Sequence, residues 1–430
     1  MKRIVCMLLV FLSSGLFAQE AQAKNPVRLQ LPDGIYAVPG VEMNVYFDNI
    51  TCTITPGNYV FDVTCRKGRN NTKFWTYTPK PEDVGTYDWS VKVINDSGVV
   101  AEASTKLHVA PADAGKDKDI TVLLIGDSLT HGHVYPTRIF NLFQQPDNPK
   151  FHMIGSNGPK GVPQPDGVAH EGWACWMWDT FVHRAEPRKV KNPQSFDIAS
   201  RFLYKIDDKP QLDFKRYFEQ YGNGRVPDII TFQLGVNDIA GANDENVHRR
   251  CEAILKNADE LIAAARAGAP EAIMGVGLVT PGCSSQEGFG HDYNCGLTRW
   301  QYKKNQHTLN AAMLKHFADY PDKKVFIIPT SLNLDCENNF PVFNGVQCNG
   351  VHPTAAGYNQ MGDTYYSWMK YWLSKCIGRV TLLRDRSLWR ATLLEVLDIL
   401  EVLEVLDILE VLDNLEVLDN LEVLENLFLD

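Results

Sequence analysis

The chain has 430 residues, of which 44% are hydrophobic and 22% are charged. This length allows two domains, and this composition excludes an intrinsically disordered chain. The net charge of −10 arises from residues 391–430, which hold twelve acidic side chains and no Lys or Arg, so the balance elsewhere is +2. A nearly neutral folded part gives no electrostatic reason to expect nucleic acid or an anionic membrane as a partner.

Residues 1–23 have the pattern of a secretory signal peptide. Lys2 and Arg3 precede an apolar run over residues 4–17, and Ala18 or Ala23 supplies the small residue before a cleavage site. The run is too short to span a bilayer comfortably. We therefore expect an exported protein, periplasmic or secreted, without a membrane-inserted segment. The oligomeric state is not encoded in any pattern of the sequence.

Export permits disulfides. Without Cys6 the chain keeps nine cysteines, an odd number, so at least one is free or paired between molecules. Three close pairs are candidate loop staples: Cys52 with Cys65, Cys283 with Cys295, and Cys336 with Cys348. The sequence has no Cys-x-x-Cys motif and its histidines are scattered, so we expect neither a metal nor another cofactor.

Residues 25–110 predict a small all-β sandwich. Short segments alternate between apolar and polar side chains, as in residues 41–47 and 87–94, and turn residues separate them. A polar linker follows over residues 111–119.

From residue 120 to residue 378, apolar strands alternate with helical patterns. This order predicts an α/β domain whose parallel sheet is covered on both faces. The predicted strands are 121–126, 151–155, 228–234, 273–279 and 324–329, and the predicted helices are 137–145, 243–267, 299–316 and 354–373.

Residues 379–430 form a low-complexity tail. Leucine recurs at every third position from Leu394 to Leu427. Successive leucines would then circle a helix axis and form no apolar stripe. We interpret the tail as a repeat without a selected fold; a coiled-coil or acidic interaction tail is the alternative.

Four segments carry candidate chemistry, and all are placed at one edge of the predicted sheet. Ser128 follows the first strand in a Gly-Asp-Ser-Leu turn, and Asn237 follows another strand in a Gly-Val-Asn-Asp segment. His352 precedes the last helix in Val-His-Pro. The fourth segment, residues 170–176, follows the second strand. Ligands bind at this edge in open α/β sheets, where a histidine activates a serine and amides stabilise an oxyanion.

These segments resemble the blocks of the SGNH (GDSL-type) hydrolases across residues 120–376. The resemblance implies a flavodoxin-like α/β/α sandwich with a five-stranded parallel sheet. It also implies that Ser128 is the nucleophile and His352 the base, and that the oxyanion hole comprises the Ser128 N–H, Asn237 and a third backbone N–H. The family supplies this third donor from a glycine. The alignment places Cys175 there, which is tolerable if its φ is negative, and Gly172 is the alternative donor.

A second departure concerns the residue three positions before the histidine. The family has an aspartate there, and this chain has Asn349. An equivalent Asp→Asn change in a serine protease lowers turnover by about 10⁴. Asn349 can still orient His352, as an asparagine does in papain-like proteases, or a backbone carbonyl can do so. Asp335 and Glu337 are candidate replacement acids.

The expected reaction is ester hydrolysis through a serine acyl-enzyme. Trp173, Trp176 and Trp300 are candidate substrate-binding residues because flat aromatic rings beside polar groups suit sugars. The family resemblance extends to exported carbohydrate esterases with an N-terminal β-domain, so removal of acetyl or another small acyl group from a glycan is the expected function. A lipolytic or aryl-ester hydrolase and a catalytically weakened glycan-binding protein are the alternatives.

Overall fold

A computed structural model describes residues 27–292 and 297–384. The expected signal peptide and the leucine repeat lie outside the described residues. The described residues up to Tyr371 belong to one compact unit, which holds both the β-rich region and the α/β region. Among the described residues, no helix has both the length and the apolarity to cross a bilayer.

The N-terminal region contains nine strands and one short helix, α1. These are β1 Arg28–Leu29, β2 Gly34–Ala37, β3 Met43–Tyr46, α1 Phe47–Ile50, β4 Thr51–Cys52, β5 Val60–Cys65, β6 Arg69–Asn70, β7 Phe74–Tyr77, β8 Gly85–Asn95 and β9 Gly98–Val109. They form a four-stranded sheet in the order β2-β9-β8-β5, a three-stranded sheet in the order β3-β7-β6, and the pair β1-β4. Of these pairings, only β2 with β9 is parallel.

Alternation along the strands builds the core of this region. On β8, Trp89, Val91 and Val93 are fully buried, whereas Asp88 just before them and Lys92 between the two valines are exposed. Period-two burial of this kind is what a strand with one face on a core requires. One residue from the other half of the chain, Leu332, joins the same cluster. The predicted all-β region is therefore present and shares its core with the α/β half.

The second region is built on a parallel sheet in the order β11-β10-β15-β16-β17. Its strands are β10 Asp119–Gly126, β11 Lys150–Ile154, β15 Ile229–Gln233, β16 Ile273–Gly277 and β17 Val325–Ile328, and the additional strands are β12 Glu171–Gly172, β13 Leu203–Ile206, β14 Lys209–Leu212, β18 Val342–Phe343 and β19 Val346–Gln347. The order corresponds to 2-1-3-4-5, the flavodoxin-like order, whose switch point lies between the first and third strands. The predicted fold class is confirmed.

Nine helices of this region are described. They are α2 Ser128–His131, α3 Val134–Phe143, α4 Trp178–His183, α5 Phe214–Tyr221, α6 Val236–Ala240, α7 Val247–Gly268, α8 Gln286–Asp292, α9 Arg299–Ala318 and α10 Ala355–Arg384. Side chains fix several of their starts: Asp213 accepts from the Arg216 N–H and Thr298 from the Gln301 N–H. The last helix continues to Arg384, beyond residue 378, and the predicted end of the α/β domain at that residue stays a prediction.

Two of the predicted loop staples do not form in the structure, because Cys52, Cys65, Cys336 and Cys348 are free thiols. The pair of Cys283 with Cys295 stays a prediction, because Cys295 lies outside the described residues. Cys52 pairs with Arg28 across β1 and β4, whereas Cys65 pairs with Trp89 in another sheet. Proximity in sequence was a poor guide here because neighbouring segments belong to different sheets.

Candidate active site

Ser128 lies at the carboxyl edge of the sheet, where β10 gives way to α2. Asp127 caps this helix, because its Oδ1 accepts from the Leu129 N–H at 3.0 Å. Gly126 is needed for the tight turn, since a Cβ there would lie 1.9 Å from Thr130 Oγ1. The strand end and the cap together hold Ser128 half-buried as the first residue of the helix.

His352 comes from the loop between β19 and α10, 224 positions after Ser128. Its Nε2 lies 2.8 Å from Ser128 Oγ. This is hydrogen-bond distance, and it is the geometry that a general base needs to take the hydroxyl proton. The fold thus brings together the two residues that the sequence predicted as nucleophile and base.

Asn349 shapes the backbone at the histidine. Its side-chain oxygen accepts from the Val351 N–H at 3.0 Å and from the His352 N–H at 2.8 Å. These two bonds make a local turn that fixes the entry to the histidine. The amide oxygen therefore holds the loop through main-chain groups.

The two candidate replacement acids are engaged elsewhere. Asp335 accepts from the Glu337 and Asn338 N–H groups and from the Asn338 side chain, so it caps its own turn. Glu337 is exposed and forms an ion pair with Lys73 of the β-rich region. These turn bonds and this ion pair engage both carboxylates, and a role for either acid toward His352 stays a prediction.

Asn237 follows β15, the strand beside β10 in the sheet. Gly235 makes the turn before it with a φ of 116°, and a Cβ at this glycine would lie 2.6 Å from Val279 Cγ2. The Asn237 Nδ2 donates to the Trp176 carbonyl at 2.9 Å. An amide nitrogen carries two N–H groups, so this bond orients the amide and leaves a second donor for an oxyanion.

The segment between Gly172 and Trp176 links the two strand ends. Gly172 pairs with Gly126 of β10, and the Trp173 N–H donates to the Gly126 carbonyl at 3.0 Å. Because the Trp176 carbonyl holds Asn237, the intervening Cys175 lies between these two anchors. It is exposed, as the position of a third oxyanion donor requires.

The two candidates for the third donor differ in the structure. The Gly172 N–H donates to His170 Nδ1 at 3.1 Å, so this alternative donor is already engaged. Gly172 is instead a packing glycine, because a Cβ there would lie 2.5 Å from Thr130 Cβ. Cys175 has a φ of 62°, contrary to the negative value expected for a residue with a side chain. The backbone keeps the left-handed turn that a glycine would favour, and the cysteine is strained by it.

Glu171 supports this segment through buried hydrogen bonds, and the sequence did not predict that role. It is fully buried and accepts from Trp173 Nε1 at 2.6 Å, Tyr217 OH at 2.6 Å and the Ser156 N–H at 3.1 Å. Burial raises the pKa of its carboxyl, and the three donors oppose that shift. The signal in the sequence was an acidic residue directly before Gly-Trp in an otherwise apolar segment.

Two more buried carboxyls flank the site. Burial and the charge of Asp238 raise the pKa of Asp127 to about 7. Burial likewise raises the pKa of Asp238 to about 7, while the Trp178 N–H donates to Asp238 Oδ1 at 3.1 Å. Each carboxyl thus accepts a backbone N–H, Asp127 at α2 and Asp238 at the start of α4, which ties the loops around the site to the sheet edge.

Two of the predicted substrate-binding tryptophans are core residues. The exposed fractions are 4% for Trp173 and 0% for Trp176. Their indole nitrogens donate to Glu171 and to the Phe196 carbonyl. The predicted role of these two as stacking surfaces is wrong, because tertiary packing encloses both rings. Trp300 is half-buried on the first turn of α9, and its role stays a prediction.

Metal ligation was not expected from the sequence. Within the part of the chain that the structure describes, no group of three His, Cys, Asp or Glu side chains has an arrangement that holds a metal ion.

The fold, the Ser128–His352 contact and the neighbouring amides define a serine hydrolase of the α/β/α type. The family model of the GDSL-like lipases and acylhydrolases matches residues 122–364. The chain therefore belongs to this family, and it is an esterase that acts on carboxylic ester bonds.

Several solved structures are similar at low identity. A carbohydrate esterase family 3 protein from Talaromyces cellulolyticus is 18% identical, with 60% of this chain and 99% of that chain covered and a TM-score of 0.36. A family 3 carbohydrate esterase from Clostridium thermocellum is 15% identical, with 60% and 98% covered and a TM-score of 0.36. A family two carbohydrate esterase mutant from the same organism is 13% identical, with 78% and 93% covered and a TM-score of 0.30. No curated protein matches the chain.

Proposed function

We propose that the protein removes acetyl or another small acyl group from a carbohydrate through an acyl-enzyme on Ser128. The observation that carries the proposal is the 2.8 Å separation of His352 Nε2 and Ser128 Oγ at the switch point of the sheet. A serine hydroxyl is a weak nucleophile until an adjacent base takes its proton. This pair meets that requirement with residues from opposite ends of the domain.

In the acylation step, His352 takes the Ser128 proton as Oγ attacks the ester carbonyl. The negative charge that develops on the carbonyl oxygen faces the Ser128 N–H, the second N–H of the Asn237 amide and the Cys175 N–H. His352 then gives its proton to the departing sugar oxygen as the tetrahedral intermediate collapses. Donors that are fixed before the reaction stabilise this charge without reorganisation.

Deacylation repeats the sequence with water as the nucleophile. His352 takes a proton from water, the hydroxide adds to the acyl carbonyl, and the same donors hold the oxyanion. The bond to Ser128 Oγ then breaks, the serine recovers its proton from His352, and the free acid leaves. The Asn349 turn supports both steps because it fixes the backbone of the residue that moves the proton.

The surroundings of Ser128 support a small acyl group and a polar alcohol. A long acyl chain requires an apolar channel. Trp173 and Trp176, on either side of Cys175 in the chain, are buried in the core, so neither ring lines such a channel. The half-buried Arg184 guanidinium lies 5.1 Å from the centroid of the Trp176 ring and donates to the Phe196 carbonyl at 3.4 Å. Hydrogen-bonding groups of this kind suit a sugar better than a lipid.

One observation favours a lipolytic or aryl-ester hydrolase as the second candidate. The β18–β19 hairpin, which precedes Asn349, exposes three apolar side chains. Their exposed fractions are 60% for Val342, 59% for Phe343 and 46% for Val346. Exposed apolar residues beside a catalytic loop are a surface on which an apolar leaving group can rest.

The deciding experiment compares kcat/KM on acetylated xylotriose and on 4-nitrophenyl decanoate, with 4-nitrophenyl acetate as the common reference. We expect acetate release from the oligosaccharide to exceed decanoate hydrolysis by at least ten-fold, a margin worth about 1.4 kcal/mol. The opposite preference would favour a lipolytic or aryl-ester hydrolase. Ser128→Ala is the matched control, because oligosaccharide binding without any hydrolysis that depends on Ser128 would leave only a glycan-binding protein.

A further inference from the structure

Three histidines lie together beside the nucleophile, and the proposed chemistry uses none of them. His131 ends the helical turn that begins with Ser128, three residues away. Its ring centroid lies 5.6 Å from that of His133, which lies 5.0 Å from that of His170. His131 and His133 are half-buried, whereas His170 is fully buried.

Two protein groups engage the inner nitrogen of His131. Asn157 Oδ1 accepts from the Gly158 N–H at 2.8 Å, so the amide presents Nδ2 to its other neighbours. This nitrogen donates to the Gly172 carbonyl at 2.7 Å and lies 3.2 Å from His131 Nδ1, which itself lies 3.3 Å from the same carbonyl. Nδ1 therefore either accepts from Asn157 or donates to Gly172, and the His131 Nε2 is a donor in the first tautomer and an acceptor in the second.

The tautomer of His133 is fixed through His170. The Gly172 N–H donates to His170 Nδ1 at 3.1 Å, so the His170 proton is on Nε2. This Nε2–H donates to His133 Nδ1 at 2.8 Å. The proton of His133 is therefore on its Nε2. Burial lowers the pKa of His133 to about 4 and that of His170 well below its usual range, so both rings stay neutral near pH 7.

The result is two imidazole rings whose inner Nδ1 atoms are engaged by the protein. Neighbouring rings restrict the His131 side chain, whose centroid lies 6.1 Å from that of Trp173 and 6.3 Å from that of Phe196, edge-on to the latter. The hydrogen bond between His133 and His170 also occupies two nitrogens that a metal ion would need. What the pair offers a ligand is a fixed N–H donor on His133 and a second polar nitrogen on His131, both on half-exposed rings.

We propose that His131 and His133 form a leaving-group subsite, in which the His133 Nε2–H donates to an oxygen of the sugar that carries the ester and the His131 Nε2 hydrogen-bonds to one of its hydroxyls. The inference rests on the proposed function and extends it from the acyl side to the alcohol side. A sugar hydroxyl both donates and accepts, so a sugar satisfies His131 in either tautomer and His133 at the same time. An arene or an alkyl chain supplies no such groups and would strip water from both nitrogens without replacing it.

The test measures kcat/KM for wild type, His131→Ala and His133→Ala on acetylated xylotriose and on 4-nitrophenyl acetate. We expect each alanine variant to lose roughly ten-fold more on the oligosaccharide than on the nitrophenyl ester, because a neutral hydrogen bond to substrate is worth about that factor. The loss should appear mainly in KM. His131→Gln, whose amide keeps a donor, should recover part of it. His248→Ala is the matched control, because that histidine is exposed on α7.

Equal losses on both substrates would overturn the subsite and assign the histidines to support of the Gly172 segment. Unaltered oligosaccharide hydrolysis in both alanine variants would also overturn it. Thermal unfolding of each variant separates misfolding from lost binding, and His131→Gln covers the case in which an alanine variant does not fold. If wild type cleaves 4-nitrophenyl acetate but not acetylated xylotriose, the carbohydrate part of the proposed function fails instead. If it cleaves neither, the esterase proposal itself fails.

Discussion

Ser128 and His352 meet at 2.8 Å, but different parts of the molecule hold them. The serine follows β10, a central strand with β11 on one side and β15 on the other. The residues of that strand from Val122 to Ile125 are fully buried. The nucleophile therefore follows a fully buried central strand, and the elements that position it belong to the α/β half.

The histidine stands on a succession of loops. The Thr354 N–H donates to the Asn339 carbonyl at 2.8 Å, which ties the residues after His352 to the segment 330–339. That segment is held in turn by the β-rich region. Asn49 Nδ2 donates to the Leu334 carbonyl at 2.9 Å and to the Leu332 carbonyl at 3.3 Å.

Further contacts reinforce this attachment. The Asn44 N–H donates to Asn333 Oδ1 at 3.1 Å, and the Leu332 side chain is buried in the β-rich core. The β-rich region therefore supports the catalytic base and is not a detached module. Contacts far from the ester should thus change proton transfer while they leave the placement of Ser128 intact.

The largest effect is expected on the serine side, at Asn237. Asn237→Ala removes an oxyanion donor and the bond that orients it on the Trp176 carbonyl. Loss of one such donor costs about 10²–10³ in kcat. Steady-state kinetics on 4-nitrophenyl acetate measure this change, with unfolding midpoints to check the fold. A loss of kcat below ten-fold would show that Asn237 does not donate to the oxyanion.

The next prediction concerns the histidine side, at Asn349. Asn349→Asp keeps an oxygen for the Val351 and His352 N–H groups and replaces the amide nitrogen by a second acceptor. A carboxylate there would stabilise the imidazolium formed in the reaction. We expect kcat to rise by roughly 10- to 100-fold, part of the 10⁴ that the opposite change costs in a serine protease. Asn349→Ala should lower it. An unchanged kcat in Asn349→Asp would mean that another group already orients His352.

The third prediction tests the support from the β-rich region. Asn49→Ala leaves two carbonyls of the segment 330–339 without their donor, so kcat should fall roughly ten-fold through misplacement of His352, with KM little changed. The free energy of unfolding should fall by about 2 kcal/mol. Asn58→Ala, at an exposed asparagine of the same region, is the control. A stability loss without any change in kcat would make the attachment purely structural.

The smallest effect is expected at Cys175, whose φ is 62°. Cys175→Gly relieves the strain of a side chain in the left-handed region and should raise the free energy of unfolding by about 1 kcal/mol. Cys175→Ala keeps the Cβ and should give no such gain. Urea denaturation of the two variants measures the difference. Equal stabilities would show that the turn relaxes around the side chain.

Local sequence patterns predicted much of the fold and the central residues of the candidate site. The apolar run before Gly126 indicated a buried strand, and the end of that strand indicated where Ser128 would lie. Asn237 followed from the same rule, because parallel strands end at one edge of a sheet, and His352 was predicted from its place in the loop before the last helix. These predictions depend on periodicity and chain direction, which a single sequence contains.

What the sequence did not predict depends on tertiary packing. The sequence predicted Trp173 and Trp176 as substrate-binding aromatics, but neighbouring elements enclose both side chains. The positive φ at Cys175 comes from anchors at Gly126 and Asn237, which lie far away in the chain. Leu332 has no local feature that would place it in the core of another region. Short elements such as the β18–β19 hairpin were missed because they carry too few residues for a period.

The central claim is that Ser128 is the nucleophile, and covalent labelling tests it most directly. Diethyl 4-nitrophenyl phosphate should phosphorylate the protein once, with esterase activity lost in proportion to the adduct seen by intact-protein mass spectrometry. Peptide mapping should place the adduct on Ser128, and Ser128→Ala should show neither adduct nor activity. Full inhibition with the adduct on another residue, or esterase activity retained in Ser128→Ala, would contradict the account.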